Sequence, residues 1–195
     1  DSSTERGVFL RTITVTAEPK SQSGVQTEQS IPSTFVGSTT NSSSISGSVS
    51  GSVGFFGDSP TGTLNGTVGY TKSVSYVDPD ITVTNLSSGD VAKWQLDFAE
   101  PQPSVGDIHL SEMCIASVSS VSPEFCWVWN ADTDNRPQGS AVFEFTVTVV
   151  CEYKLRKVEI PLAGPHTIHD PQDASDPIVY QVQMNYAQLP SKDSA

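Results

Sequence analysis

Between residues 45 and 76 the chain alternates apolar and small polar side chains with a period of two, a spacing whose chemistry is solvation rather than bond-making. Ile45, Val49, Val53 and Phe55 share one parity with Gly47 and Gly51, while Ser46, Ser48, Ser50 and Ser52 fill the other. On the return, Leu64, Val68, Tyr70 and Val74 alternate with Thr63, Asn65, Thr67, Thr71 and Ser73. Successive side chains of a strand point to opposite faces, so each segment makes a ribbon with one apolar face and one hydroxyl-rich face. The turn-forming run Phe56-Gly57-Asp58-Ser59-Pro60-Thr61-Gly62 joins them as a hairpin. Each arm runs about eleven residues, the length a tilted strand needs to cross a bilayer. No charge stands between Gln29 and Gly57, and the return arm carries only Lys72.

A bilayer cannot hydrogen-bond open strand edges, so such a hairpin enters only as part of a closed barrel. One chain supplies two strands where bacterial barrels use at least eight, so several copies must contribute. In that barrel Ile45, Val49, Val53, Phe55, Leu64, Val68, Tyr70 and Val74 are expected to face lipid. Ser46, Ser48, Ser50, Ser52, Thr63, Asn65, Thr67, Thr71 and Ser73 are expected to line water, a lumen without charge and hence with little ion preference. Lys72 falls on the lipid parity. A midplane Lys costs about 2–4 kcal/mol per copy and about 0–1 near the interface. It therefore reads as marking the upper interface, with Tyr70 and Tyr76 as girdle aromatics. In a soluble monomer the same strands must fold against the rest of the chain to hide the apolar parity.

The residue sets that suggest reactive chemistry read differently. His166, His169, Asp170 and Asp173 have metal-ligand types but no further ligand at a suitable spacing, and read as a solvent loop. Asn130, Asp132 and Asp134 open like a calcium loop, but Asn135 stands where that loop needs Gly and Ala141 where it needs Glu. Asn41, Asn65 and Asn85 begin Asn-x-Ser/Thr sequons, read as chance matches because a glycan on Asn65 would block a water-lining position. No Ser/His/Asp set, phosphate loop or carboxylate pair is legible, so the expectation is no enzyme, no cofactor and no metal. Of three cysteines, Cys114 and Cys126 are spaced to close a short loop in an oxidising compartment, with the unpaired state as the alternative. Cys151 lies on the apolar parity of Phe143, Phe145, Val147 and Val149 and reads as a buried thiol.

The elements that must carry the hairpin are strands throughout. Period-two runs cover Val8 to Ala17, Ile81 to Asn85, Val91 to Phe98, Phe125 to Asn130, Val142 to Leu155 and Ile178 to Tyr186. Glu18 to Thr34 reads as a connection or weak strand, and Pro161 to Pro177 as a loop. No helical period competes with them, which predicts an all-β antiparallel β-sandwich carrying a long amphipathic stem hairpin that forms a transmembrane β-barrel on oligomerisation. The expected division is 1–34 for the first strand and connection, 35–80 for the stem, and 81–195 for the sandwich with a rim-like segment at 99–122. Trp127 and Trp129 share a face with Phe125; core packing is the first reading and membrane contact the alternative. A net charge of −12, with ten Lys and Arg scattered along the chain, excludes a nucleic-acid partner and argues against simple adsorption to anionic lipid. No run approaches eighteen apolar residues, and the opening Asp1-Ser2-Ser3 reads as a mature secreted start.

The hairpin also carries a resemblance. The stretches from Ser44 to Phe56 and from Leu64 to Tyr76, the run Tyr70-Thr71-Lys72-Ser73-Val74-Ser75-Tyr76 above all, resemble the stem of the leukocidin/α-hemolysin family of β-barrel pore-forming toxins. Tyr76-Val77-Asp78-Pro79-Asp80 is similar to the family's stem exit and Val91-Ala92-Lys93-Trp94 to the strand after it. Ser122-Pro123-Glu124-Phe125 and Tyr180-Gln181-Val182-Gln183-Met184-Asn185-Tyr186 are similar to later strands. The segment before the stem and the rim-like segment are both shorter than the family's. The resemblance implies a secreted cytolysin that assembles on a target membrane as a homo-oligomeric ring of roughly seven or eight protomers. The other class consistent with the sequence is a non-lytic secreted β-sandwich, an adhesin or carbohydrate-binding module.

Overall fold

A computed structural model describes residues 3–36, 41–47, 50–56, 59–65, 70–76, 81–98, 124–131, 140–160, 167–169 and 172–185. These residues form fourteen strands: β1 Ser3–Pro19, β2 Val25–Ile31, β3 Phe35–Val36, β4 Asn41–Gly47, β5 Ser50–Phe56, β6 Ser59–Asn65, β7 Tyr70–Tyr76, β8 Ile81–Asn85, β9 Ala92–Phe98, β10 Glu124–Ala131, β11 Val142–Ile160, β12 Thr167–His169, β13 Gln172–Ala174 and β14 Ile178–Asn185. Every ladder between them is antiparallel, and there is no helix among the described residues. Among the described residues no helix is therefore long and apolar enough to cross a membrane, a statement that does not bear on crossing by strands.

One sheet runs β12-β11-β1-β9-β8-β3, with β13 and β14 also on β11; a second runs β2-β10-β5-β6; β4 and β7 pair with each other. The two sheets meet face to face because each inner parity is aromatic or β-branched. Val15, Trp94, Leu96, Phe143, Phe145 and Val149 point in from the first sheet and Phe125, Trp127 and Trp129 from the second, all buried. Trp94 lies 5.2 Å from Phe125 and Trp127 lies 6.2 Å from Phe145 between ring centroids, which ties the layers at the spacing aromatic pairs prefer.

The strands read from Val8, Ile81, Val91, Phe125, Val142 and Ile178 are all present, several of them longer than the apolar run alone marks. The Glu18 to Thr34 connection contains β2, and the Pro161 to Pro177 loop contains β12 and β13. β2, Val25-Gln26-Thr27-Glu28-Gln29-Ser30-Ile31, buries only its two ends, so apolar alternation is nearly silent there. The ladder to β10 supplies what the pattern lacks. Gly24, at φ 75°, turns the chain into β2 in a conformation that favours glycine. Cys151 is half-buried rather than fully buried. Along the inner parity of β11 cover falls from Val149 at 1% exposed to Leu155 at 40%, because β11 outruns the sheet that covers it.

Candidate functional site

The hairpin expected from the alternation is present as two ladders. At its base β4 pairs β7, with Ile45 opposite Lys72, Ser46 opposite Thr71 and Gly47 opposite Tyr70. At its tip β5 pairs β6, with Ser50 opposite Asn65, Ser52 opposite Thr63, Val53 opposite Gly62 and Phe56 opposite Ser59. The turn is tighter than the Phe56 to Gly62 run suggests: only residues 57 and 58 separate the strands, and Gly-x is a pair that two-residue hairpin loops favour. Two residues separate β4 from β5 while four separate β6 from β7, so the ladders are offset by two. An even offset preserves faces, whereas an offset of one would exchange them. Odd positions of the first arm therefore oppose even positions of the second in both ladders. Ile45, Tyr70 and Val74 share one face of the base ladder, and Val53, Phe55 and Leu64 one face of the tip ladder. Ser46, Thr71 and Ser73, and Ser50, Ser52, Thr63 and Asn65, occupy the opposite faces. Ser48, Val49, Thr67 and Val68 lie outside the described residues.

The tip half is seated on the sandwich. β5 adds to the free side of β10, with Val53 opposite Phe125, Gly51 opposite Trp127, Ser52 opposite Cys126 and Ser50 opposite Val128. Positions 51 and 53 thus share the face of β10 that packs into the core, and positions 50 and 52 share the other. The parity expected to meet lipid is the parity this seat turns toward the sandwich core. The base half is held differently: β4 passes beside both β10 and β2 without laddering to either. Cys126 and Val128 are buried although they point away from the inter-sheet core.

Trp127 and Trp129, considered above for membrane contact, are 1% and 2% exposed between the sheets. Trp129 Nε1 donates to the Asp90 carbonyl at 2.9 Å, and Trp94 Nε1 to the Pro32 carbonyl at 3.1 Å. Trp127 Nε1 is buried with no hydrogen-bond partner among the described residues, a donor whose lost hydration costs about 1–3 kcal/mol. That orphan lies in the seat, opposite Gly51 of the hairpin.

Both roots of the hairpin are fixed. β3 and β8 pair through Phe35 opposite Val83 and Val36 opposite Thr82, just before and just after residues 37–80. Asn85 reinforces this: Nδ2 donates to the Ser30 carbonyl at 3.1 Å and the Pro32 carbonyl at 2.9 Å, and its amide N–H donates to Thr34 Oγ1 at 3.0 Å. Sequence reading marks Asn85 only as a sequon. A lone polar residue at a strand end gives no signal that its amide staples a connection more than fifty residues earlier.

The reactive-looking sets do not converge. Among the described residues no group of three or more His, Cys, Asp and Glu comes together to hold a metal. His169 stands opposite Lys157, and Asp173 accepts a hydrogen bond from the Tyr153 hydroxyl at 3.1 Å, which raises the Tyr153 pKa above its ordinary value. Asn130 Nδ2 donates to Glu28 Oε1 at 3.0 Å. Cys114, Asp132, Asp134, His166 and Asp170 lie outside the described residues. Burial pushes the Cys151 thiol pKa up.

A two-sheet antiparallel sandwich with a long hairpin paired onto one sheet is a fold this chain shares with solved pore-forming proteins. Among solved structures, one titled a pore forming protein matches 93% of this chain and 72% of its own, at TM-score 0.55 and 13% identity. The Clostridium perfringens NetB toxin in the membrane inserted form matches 96% of this chain and 78% of its own, at TM-score 0.53 and 12% identity. Clostridium perfringens delta-toxin matches 93% of this chain and 70% of its own, at TM-score 0.49 and 18% identity. At these identities the likeness is one of fold. No protein-family model and no curated protein sequence matches the chain.

Proposed function

We propose that this protein is a secreted pore-forming toxin that assembles as a ring on target membranes and inserts a β-barrel built from residues about 45–76, the stem of a 35–80 segment. The observation that carries this reading is the register of the hairpin: both ladders keep apolar positions on one face and hydroxyl positions on the other. A closed barrel needs that separation over its whole height, since one face meets hydrocarbon and the other water. The shared fold with the NetB toxin in its membrane inserted form supports the same reading. The seat on β10 is then the stored form. Release exchanges the β5–β10 ladder for strand pairing within the barrel.

The test ties the seat shut. Gly54 stands opposite Glu124 across the β5–β10 ladder, within the spacing a disulfide spans. Gly54→Cys combined with Glu124→Cys, when oxidised, should leave the fold intact and abolish dye release from liposomes, and reduction should restore it. The parent protein should form an SDS-resistant oligomer on the same liposomes. Dye release by the oxidised form equal to that of the parent would remove the hairpin as the spanning element. An absence of both oligomer and release from the parent would favour an adhesin or carbohydrate-binding module.

A further inference from the structure

One cleft lies on the first sheet, away from the sheet that seats the hairpin. It encloses about 320 Å³ and is lined by Arg11, Glu152, Tyr153, Asp173 and Ala174, which come from β1, β11 and β13. The ladders build it. β1 pairs β11 through Leu10 opposite Tyr153 and Thr12 opposite Glu152, so Arg11 is one residue too many for the register. Such a bulge takes a side chain out of the alternation and re-aims it. On the other side of β11, Asp173 stands opposite Tyr153 and Ala174 opposite Glu152. β13 is pinned there: the Ser175 N–H donates to the Cys151 carbonyl at 2.8 Å, and the Cys151 N–H donates to Ser175 Oγ at 3.1 Å. The walls are therefore set before any ligand arrives.

The polar groups of the cleft are unevenly spent. Asp173 accepts the Tyr153 hydroxyl through Oδ2 at 3.1 Å and the Ala174 N–H through Oδ1 at 2.9 Å, and Glu152 Oε2 accepts Thr12 Oγ1 at 3.0 Å. Arg11 is half-buried and has no hydrogen bond or ion pair with any described residue. A guanidinium carries five N–H donors in a rigid fork, so the cleft holds donors with nothing to receive them. Each carboxylate keeps lone pairs beyond those bonds, so acceptors remain as well. Charge then selects among ligands. Arg11 and Lys154, its neighbour across the ladder, are set against Glu152, Asp173 and Asp176, the last close enough to act on the Tyr153 hydroxyl. An anion is repelled on balance, and a metal cation would meet Arg11 beside carboxylates already in use. A neutral molecule whose groups both donate and accept suits both halves.

We propose that this cleft binds a neutral sugar residue of a glycan, its hydroxyl oxygens taking the Arg11 N–H donors, its hydroxyl protons going to Glu152 and Asp173, and its apolar ring face lying against Tyr153. A hydroxyl donates once and accepts twice, so adjacent hydroxyls of one sugar meet a guanidinium and a carboxylate together. The bond from Tyr153 to Asp173 holds the phenol as a platform with an apolar body and a polar tip. The volume, at the small end of the roughly 300–1,000 Å³ that ligand sites span, suits one or two sugar rings rather than a long chain. The site stands whether or not the hairpin spans a membrane, and sugar binding is measured separately from permeabilisation.

An array of protein-free oligosaccharides ending in galactose, glucose, mannose or N-acetylglucosamine, beside their sialic-acid-capped counterparts, reads the binding. The parent protein should be retained by at least one neutral terminus and less by its capped form. Arg11→Gln should weaken that retention about ten-fold or more, whereas Lys20→Gln, at the other end of β1, should leave it unchanged. A melting curve checks that Arg11→Gln folds. If it does not, the parent's own nuclear magnetic resonance spectra decide: the retained sugar should shift the Arg11 Nε–H and the amides of Tyr153 and Ala174. No retention of any neutral terminus, stronger retention of the capped forms, full retention by folded Arg11→Gln, or shifts that miss the cleft would overturn the proposal. Dye release from liposomes of phosphatidylcholine alone, which carry no sugar, reads the pore. Retention without release would overturn the pore and keep the sugar site, and release without retention would do the reverse.

Discussion

β10 is held on its two sides by different physics. Toward the first sheet it presents Phe125, Trp127 and Trp129 to Trp94, Phe143 and Phe145, a set of rings 5.2–6.2 Å apart that leaves little freedom of packing. Truncating any one of them is expected to cost about 3–5 kcal/mol. Toward the hairpin it presents a ladder of five residue pairs to Ser50, Gly51, Ser52, Val53 and Gly54. Backbone bonds net only about 0.5–1.5 kcal/mol each, and a neighbouring strand restores them when the partner changes. Ser and Gly add little packing that is specific to one partner. A sandwich that stays whole and a hairpin that leaves it thus follow from the same strand, through aromatic anchoring on one side and ladder anchoring on the other.

The sharpest way to break this comparison is to disturb faces without disturbing composition. Inserting one glycine between Gly47 and Ser50 reverses the parity of one arm beyond the insertion, whereas inserting two restores it. We expect the single insertion to abolish dye release and the double insertion to retain it, with both proteins melting within a few degrees of the parent. Loss of release in both, or in neither, would mean that face separation is not what the hairpin needs.

A smaller effect sharpens the anchoring side. Trp94→Phe removes a donor that the Pro32 carbonyl accepts, whereas Trp127→Phe removes a donor that has no acceptor among the described residues. Both lose similar ring volume, so urea melts should place Trp94→Phe about 1–3 kcal/mol below Trp127→Phe. Equal losses would indicate that the Trp127 N–H is satisfied in solution. The smallest effect concerns Cys151. Burial raises its folded thiol pKa above the unfolded value, so its contribution to stability is complete below about pH 8.5 and is lost as pH climbs through the folded value. Alkylation at pH 8 should therefore be slower in the folded protein than in urea, and Cys151→Ala should flatten the alkaline fall in melting temperature slightly.

Much of the framework is written locally. Alternation at Ile81 to Asn85 and Phe125 to Asn130 marks β8 and β10 within a residue of their bounds, because half-buried strands need a period of two. β12 and β13 escape notice, and β2 reads only as a connection or weak strand, because their pairing partners supply what their own side chains do not. The hairpin is legible for the first reason. Its seat is not, since nothing in the stretch from Ser50 to Gly54 names β10 as its partner.

The amino-acid sequence by itself determined the two faces of the hairpin, because side-chain direction along a strand depends only on position along it. Tertiary structure alone decided that the hairpin tip ladders to β10, with Gly51 opposite Trp127, and that Asn85 pins the hairpin roots. It also decided which polar side chains meet. Arg11, Glu152, Tyr153 and Asp173 share a cleft only when antiparallel ladders bring β1 and β13 to the two sides of β11, since electrostatic interaction depends on distance in space and not on separation in sequence.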